Sequence, residues 1–159
     1  WTGASTDDNT AWNDTAPTSS VFSIGTDTNT NRSGDKFIAY CFAEVEGFSS
    51  FGTYIGDGTS DNGPYIYTGF KPRLVIVKKS SAAGSSWFMW DSKRHPENVI
   101  DLAVWVDASN GDTSHAEYEI DFLSNGFKIR GQNAGSNASG ATHVYMAFAE
   151  APFKYATAR

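Results

Sequence analysis

The sequence predicts an all-β chain folded as an antiparallel β-sandwich or jelly roll. Leucine occurs at only three positions, whereas phenylalanine, tyrosine and tryptophan supply 11, 7 and 5 residues. Aromatic side chains favour strands, and leucine is among the best helix formers. No stretch of eleven residues shows a convincing 3.6-residue apolar period, and Gly-rich turns divide the chain into short segments. Many short strands separated by turns are typical of sandwiches and jelly rolls.

About ten strands are predicted. In chain order they span residues 21–24, 36–45, 53–55, 65–68, 73–79, 87–91, 100–107, 117–123, 126–130 and 142–150. Residues 73–79 (RLVIVKK) form the most β-branched segment. Residues 36–45 are apolar at both odd and even positions, which predicts a central strand covered on both faces. Four loops rich in Gly, Asp, Asn and Ser are expected to be exposed: 56–64, 92–99, 107–116 and 131–140.

An internal repeat organises the chain. Residues 19–24 align with 124–129, the turn at 31–34 aligns with 137–140, and residues 37–44 align with 143–150. Both long segments end in Phe-Ala-Glu. We therefore expect residues 47–159 to be one sandwich module. Residues 1–46 would be the C-terminal part of a preceding repeat, which packs on the same sandwich or contributes strands to it, because so short a segment rarely closes a core alone.

Charge and cysteine content exclude several classes of protein. The net charge is −6 and the pI is about 4.9, without the basic stripe of a nucleic-acid binder. No apolar run approaches the length of a membrane span, so we expect no membrane insertion. The chain begins at Trp1 rather than at methionine, and we expect it to be a piece of a longer polypeptide. Cys41 is the only cysteine, and its apolar neighbours predict an inert, buried thiol.

Aromatic residues on three predicted strands are candidates for binding carbohydrate. They are Trp87, Trp90, Trp105, Tyr65 and Tyr67. Aromatic faces beside Asp and Asn side chains stack on sugar rings. The alternative is a structural role, because neighbouring positions of residues 87–90 face opposite sides of a strand. At least one of the two tryptophans in that strand should therefore be a core residue.

The loop at 57–63 is a candidate calcium site. Asp57, Thr59 and Asp61 place oxygen ligands at alternate positions, and Ca²⁺ binds several such oxygens. Thr68 stands where the glutamate of a calcium loop would be. The alternative is an ordinary Gly/Asp turn that holds no ion. We expect no other cofactor.

The titratable residues indicate no catalytic site, and we expect no enzymatic activity. Glu44 and Glu150 end the two repeated strands. A pair for acid–base catalysis needs two different environments, so we favour strand-end carboxylates that bind Lys, Arg or backbone N–H groups. His143 is expected to be an interior or interface residue, while His95 and His115 are expected to be solvated. No phosphate-binding loop and no nucleophile elbow occurs.

Several motifs, in this order and spacing, resemble a domain of tail-fibre and other virion proteins from marine and environmental bacteriophages. They are IAYCFAEVEGFS at 38–49, a Gly-rich turn at 52–58, YTGFKP at 67–72, LVIVK at 74–78, a tryptophan strand with Asp and Arg at 87–94, SNGFKIR at 124–130 and YMAFAEAPF at 145–153. The resemblance covers nearly the whole chain. It implies a concanavalin-like or jelly-roll sandwich and provides no catalytic residues.

The resemblance leads us to expect a structural or adhesive module of a virion, located in a tail fibre, a spike or a head decoration. Its expected partners are copies of itself, with a trimer as the most reasonable assembly, or other virion proteins, together with a polysaccharide of the host surface. Its expected location is the virion, outside the cell. The alternative is a carbohydrate-binding module of a secreted glycan-active enzyme, which would share the fold and the aromatic residues.

Overall fold

A computed structural model describes residues 7–151 of the chain, and these fall into two units, residues 7–42 and residues 43–151. The larger unit contains the strands β1 Ser49–Ile55, β2 Tyr65–Tyr67, β3 Pro72–Lys79, β4 Trp87–Asp91, β5 Leu102–Trp105, β6 Thr113–Ser114, β7 Ile120–Leu123, β8 Gly126–Ile129 and β9 Thr142–Ala149. The helical segments are single turns: α1 Asn9–Trp12, α2 Thr28–Asn31, a 3₁₀ turn at Ala116–Tyr118 and α3 Ala134–Asn137.

The larger unit is an all-β antiparallel sandwich, which confirms the predicted fold class. One sheet has six strands in the order β1-β9-β3-β4-β5-β6, and the other has three in the order β2-β8-β7. β9, the last strand, lies between β1 and β3 and is antiparallel to both. The jelly-roll or concanavalin-like connectivity stays a prediction.

Aromatic and β-branched side chains fill the space between the two sheets. The ring of Phe127 on β8 meets Tyr54 of β1 and Tyr145 of β9 edge-on, with centroids 6.4 and 5.4 Å apart. Val75 and Val77 on β3 are fully buried behind them. Burying one such side chain stabilises a fold by roughly 1.5–3 kcal/mol, so this layer supplies most of the cohesion between the sheets.

The predicted strands at 21–24 and 36–45 do not form. In the described part of the smaller unit, residues 7–42, there is no strand, and no residue there is buried. Of residues 36–45, Val45 alone makes a bridge, to Ser49. A strand needs a partner for its N–H and C=O groups, and the place beside β1 and β3 belongs to β9. Cys41 lies in this segment and is exposed, so the prediction of a buried thiol was wrong.

The internal repeat is visible as local structure in both units. α2 and α3 occupy equivalent positions, and their N-caps Asp27 and Asn133 each accept a hydrogen bond from the backbone two residues later. Gly34 and Gly140 follow with φ of 85° and 70°, a conformation that favours glycine. The chain therefore adopts the same turn twice.

The repeated turn is also held by equivalent asparagines. The amide of Asn31 donates to the carbonyl of Gly25 at 2.8 Å, and the amide of Asn137 donates to that of Gly131 at 3.1 Å. Both glycines are required by close backbone approaches. A Cβ on either would lie 2.0 Å from a carbonyl oxygen, that of Thr10 for Gly25 and that of Glu117 for Gly131.

Loops 56–64, 92–99 and 107–116 consist largely of exposed and partly exposed residues, as expected. The fourth, 131–140, differs because it contains α3, whose Gly135, Ser136 and Asn137 are buried. Within residues 7–151, no helix has the length and apolar character of a membrane span.

Candidate functional site

Two tyrosines project side by side from the outer face of the smaller sheet. Tyr65 and Tyr67 lie two residues apart on β2, so both point away from the core while Ile66 between them is buried. Their exposed fractions are 46% and 67%. Side chains at this spacing are about 7 Å apart along a strand. The pair therefore presents a continuous aromatic surface to solvent.

Two glycines leave room for these rings. A Cβ on Gly126 would lie 3.0 Å from the hydroxyl oxygen of Tyr65 and 2.1 Å from the carbonyl oxygen of Ile66. Gly69 has a φ of 81°, and its Cβ position lies 3.6 Å from the hydroxyl oxygen of Tyr67. Each ring thus extends over a position that has no side chain. The Tyr65 hydroxyl also donates to the side-chain oxygen of Asn125 at 2.7 Å, which fixes its ring on the surface.

Polar groups lie next to the two rings on the same face. Lys128 on β8 pairs directly with Tyr65 across the sheet, and its Nζ donates to the side-chain oxygen of Asn62 at 3.0 Å. Arg130, two residues after Lys128, contacts Asp121 on the neighbouring strand β7 at 3.1 Å and Asp61 at 3.9 Å. Aromatic faces with hydrogen-bonding groups at their edge are the chemistry that recognises a sugar, whose C–H face stacks while its hydroxyls bind polar groups.

The three predicted tryptophans do not join the tyrosines. Trp90 is 1% exposed, and its Nε1 donates to the carbonyl of Tyr118 at 2.8 Å inside the sandwich. Trp105 is partly buried and packs against the same core, with its ring 5.8 Å from Phe88 and 5.3 Å from Tyr118. Trp90 confirms the expectation that a tryptophan of this strand belongs to the core, and it leaves no surface there for a sugar ring.

Trp87 lies on the opposite outer face of the sandwich. It alternates with the inward Phe88 on β4 and lines a shallow apolar surface with Phe51, Ile76 and Met146. The five residues predicted from the sequence are therefore divided among two outer faces and the core. Only Tyr65 and Tyr67 are brought together. Lys128, Asn125 and Asn62, which complete their surroundings, were not predicted, although the Asn125-Gly126 turn beside a strand could have indicated them.

The loop that carries Asp57, Thr59 and Asp61 is organised by its own hydrogen bonds. One carboxylate oxygen of Asp57 accepts from the amide and the hydroxyl of Thr59, at 2.9 and 2.8 Å. The Thr59 amide is the main reason that the pKa of Asp57 is lowered. Asp61 lies 3.9 Å from the cation of Arg130. Among residues 7–151 no cluster of three acidic, His or Cys side chains suits a metal. The donor set fits an Asp turn better than a calcium ion.

The repeated glutamates hold structural contacts. Glu150 lies 2.8 Å from Nζ of Lys71, and Glu44 accepts a hydrogen bond from the backbone of Phe51. Glu150 directly follows β9, as expected, whereas Glu44 follows no strand, because residues 36–44 form none. Both carboxylates make the expected kind of contact, Glu150 with a lysine and Glu44 with a backbone N–H.

His143 is a titratable residue that lies fully inside the sandwich. Its ring is fully buried and stacks on Tyr54 with centroids 5.0 Å apart. Nδ1 lies 3.1 Å from the carbonyl of Ala141, whereas Nε2 has no hydrogen-bond partner among residues 7–151. Burial lowers the pKa of this imidazole to about 4, so the ring is neutral at physiological pH. As predicted, it is an interior residue.

A family model described as a domain of unknown function, DUF7483, matches residues 1–152. Comparison with curated proteins and with solved structures found no match.

Proposed function

We propose that this chain, which belongs to the DUF7483 family of unknown function, is a structural and adhesive module of a bacteriophage virion that contacts a glycan of the host surface. Tail fibre, spike and head decoration are the places on the particle where such a module acts. The motifs that resemble phage virion proteins support this location, and the sandwich supplies a rigid support for an adhesive face.

The tyrosine pair carries the glycan part of the proposal. Tyr65 and Tyr67 keep large exposed surfaces, while the hydrogen bond to Asn125 fixes the ring of Tyr65 and Gly69 leaves room for that of Tyr67. A preorganised ring loses little conformational entropy when a sugar stacks on it, which strengthens weak contacts. Lys128 at the edge of the rings adds a cation that suits hydroxyl or acidic groups of a polysaccharide.

Binding to bacterial surface polysaccharides on an array, followed by affinity electrophoresis, tests this face. We expect saturable binding that Tyr65→Ala or Tyr67→Ala weakens by roughly tenfold, the loss of about 1.4 kcal/mol for one stacked ring. Tyr40→Ala is the matched control, because Tyr40 is also an exposed tyrosine, at 79%, but belongs to the smaller unit. Equal binding by all variants, or no binding to any polysaccharide, would contradict the proposal. If only Trp87→Ala loses binding, the glycan site lies on the larger sheet instead.

The same tyrosine face would serve a carbohydrate-binding module of a secreted glycan-active enzyme, which is the second candidate function. Antibodies against the chain separate the two, since they label phage particles in electron micrographs only if the module is part of a virion. Light scattering of the purified chain tests the predicted homo-oligomer, for which we expect the mass of a trimer.

A further inference from the structure

Residues 36–45 have the side chains of a central strand but lie exposed. Ile38 and Tyr40 are 81% and 79% exposed, although each is a large side chain that strands and cores favour. Isolated exposed apolar residues are ordinary, but a continuous run of them marks an interaction surface. The aligned segment, residues 143–150, shows what such a run does in this fold, because it forms β9 between β1 and β3 in the larger sheet.

The two segments match in the alternation of small and large residues, except that the inward Tyr145 of β9 aligns with the small Ala39. On β9 the positions facing the other sheet include Ala147 and Ala149, and the aligned residues are the similarly small Cys41 and Ala43. The positions facing outward carry large apolar side chains in both segments: Val144, Met146 and Phe148 in one, and Ile38, Tyr40 and Phe42 in the other. The segment thus has the pattern needed for the same place in a sheet.

The part of the chain before this segment already has the local structure that precedes β9. The backbone N–H of Asp27 donates to the carbonyl of Thr10 at 2.9 Å, as that of Asn133 donates to Glu117 at 3.2 Å. Asp8 caps α1 through its side chain as His115 caps the 3₁₀ turn. Residues 8–44 therefore correspond to residues 115–150, the last third of the sandwich.

Asn137 indicates what the smaller unit is built to contact. Its side chain binds three backbone groups, those of Gly131, Asp57 and Thr59, and the last two belong to the loop after β1. The equivalent Asn31 makes one of these contacts, since its amide binds the carbonyl of Gly25 as that of Asn137 binds Gly131. The other two contacts would come from the equivalent loop of a second sandwich.

We propose that residues 36–45 form the central strand of a neighbouring copy of this sandwich, between its strands equivalent to β1 and β3 and antiparallel to both. The partner contains only the counterpart of residues 47–114 and so has no β9 of its own, and residues 8–35 complete its smaller sheet. Val45 and Ser49 then join the two copies by a three-residue turn, since their backbones already exchange two hydrogen bonds at 3.2 and 2.9 Å. This pairing does not depend on glycan binding.

The test gives the chain such a partner. An extended protein carries residues 47–114 directly before residues 8–159, so that the added segment lacks only the parts that residues 8–45 are proposed to supply. Cys41 is the single thiol in this protein and takes the place of the fully buried Ala147. We expect its reaction with an aromatic disulfide reagent to slow by at least about 100-fold relative to the 159-residue chain, with matching protection of amides 37–44 from hydrogen exchange.

A control protein carries residues 47–151 before residues 8–159, so its added copy has its own β9 and Cys41 should stay reactive. Three outcomes would overturn the proposal: Cys41 equally reactive in the extended protein and the original chain, Cys41 protected in the control as well, or an added segment that folds in the control but not in the extended protein. Ala39→Pro in the extended protein should unfold the added copy, because proline disrupts a central strand, and should leave the original chain unaffected.

Discussion

The carboxylate of Glu44 accepts a hydrogen bond from the backbone N–H of Phe51, 3.1 Å away, beside the edge strand β1. An edge strand with open N–H and C=O groups pairs readily with another chain, and a charged side chain placed there discourages this. We expect Glu44 to combine this local hydrogen bond with protection of the edge.

Replacing Glu44 by Ala should increase self-association. The stability of the monomer should change by less than about 1 kcal/mol, because the hydrogen bond is exposed. Sedimentation velocity at several concentrations measures the association. Glu150→Ala is the control, since it removes a carboxylate of the same repeat that binds Lys71. If the two variants associate equally, Glu44 does not protect the edge.

Asn137→Ala should destabilise the sandwich by about 3 kcal/mol. The side chain is fully buried, and its loss leaves the amide of Asp57 and the carbonyls of Thr59 and Gly131 without their partner. Asn31→Ala at the equivalent exposed position should cost less than about 0.5 kcal/mol. Urea denaturation of both variants gives the comparison. Similar losses in the two would show that the buried network contributes little.

The neutral imidazole of His143 should make stability depend on pH. Its pKa is about 4 in the fold and near 6.5 in the unfolded chain, so between these values the unfolded state binds the extra proton. Stability should therefore fall as the pH drops from about 6.5 to 4, by roughly 3 kcal/mol in total.

His143→Phe isolates this effect. The aligned residue of the repeat is Phe37, and a phenyl ring keeps the stacking position beside Tyr54 without titrating. Urea unfolding at pH 7, 5 and 4 should show a flatter dependence for the variant. The stability that ionised carboxylates such as Asp57 and Asp91 contribute is lost at more acidic pH in both proteins, because their pKa values are lowered. If stability falls equally with pH in the variant and the original protein, His143 is not the cause of the pH dependence.

Calcium and a chelator should leave the melting temperature unchanged. Asp57 already serves the Thr59 turn, and Arg130 supplies a positive charge near Asp61. A ligand that binds only the folded state raises its melting temperature, so thermal melts with calcium or with EDTA report binding directly. If calcium raises the melting temperature and Asp57→Ala abolishes that rise, the loop does bind calcium.

The candidate site was only partly predictable. Alternation along Tyr65-Ile66-Tyr67 places both tyrosines on one face, and the sequence contains that information. It does not contain the identity of the sheet to which each strand belongs. Trp87 and Tyr65 both face outward, yet they lie on opposite sides because β4 and β2 belong to different sheets. Sheet membership arises from pairings between residues distant in the chain, such as Tyr65 with Lys128.

The repeat separates what local sequence determines from what tertiary structure decides. Residues 25–34 and 131–140 adopt the same capped turn, because its caps, its glycines and its asparagine act within a few residues. Residues 37–44 and 143–150 have nearly the same apolar pattern, yet only the second is a strand. The backbone of an extended segment must find hydrogen-bond partners outside itself, and β1 and β3 provide them to β9 alone. Composition and turns specified an all-β sandwich, and the available partner strands decided which segments joined it.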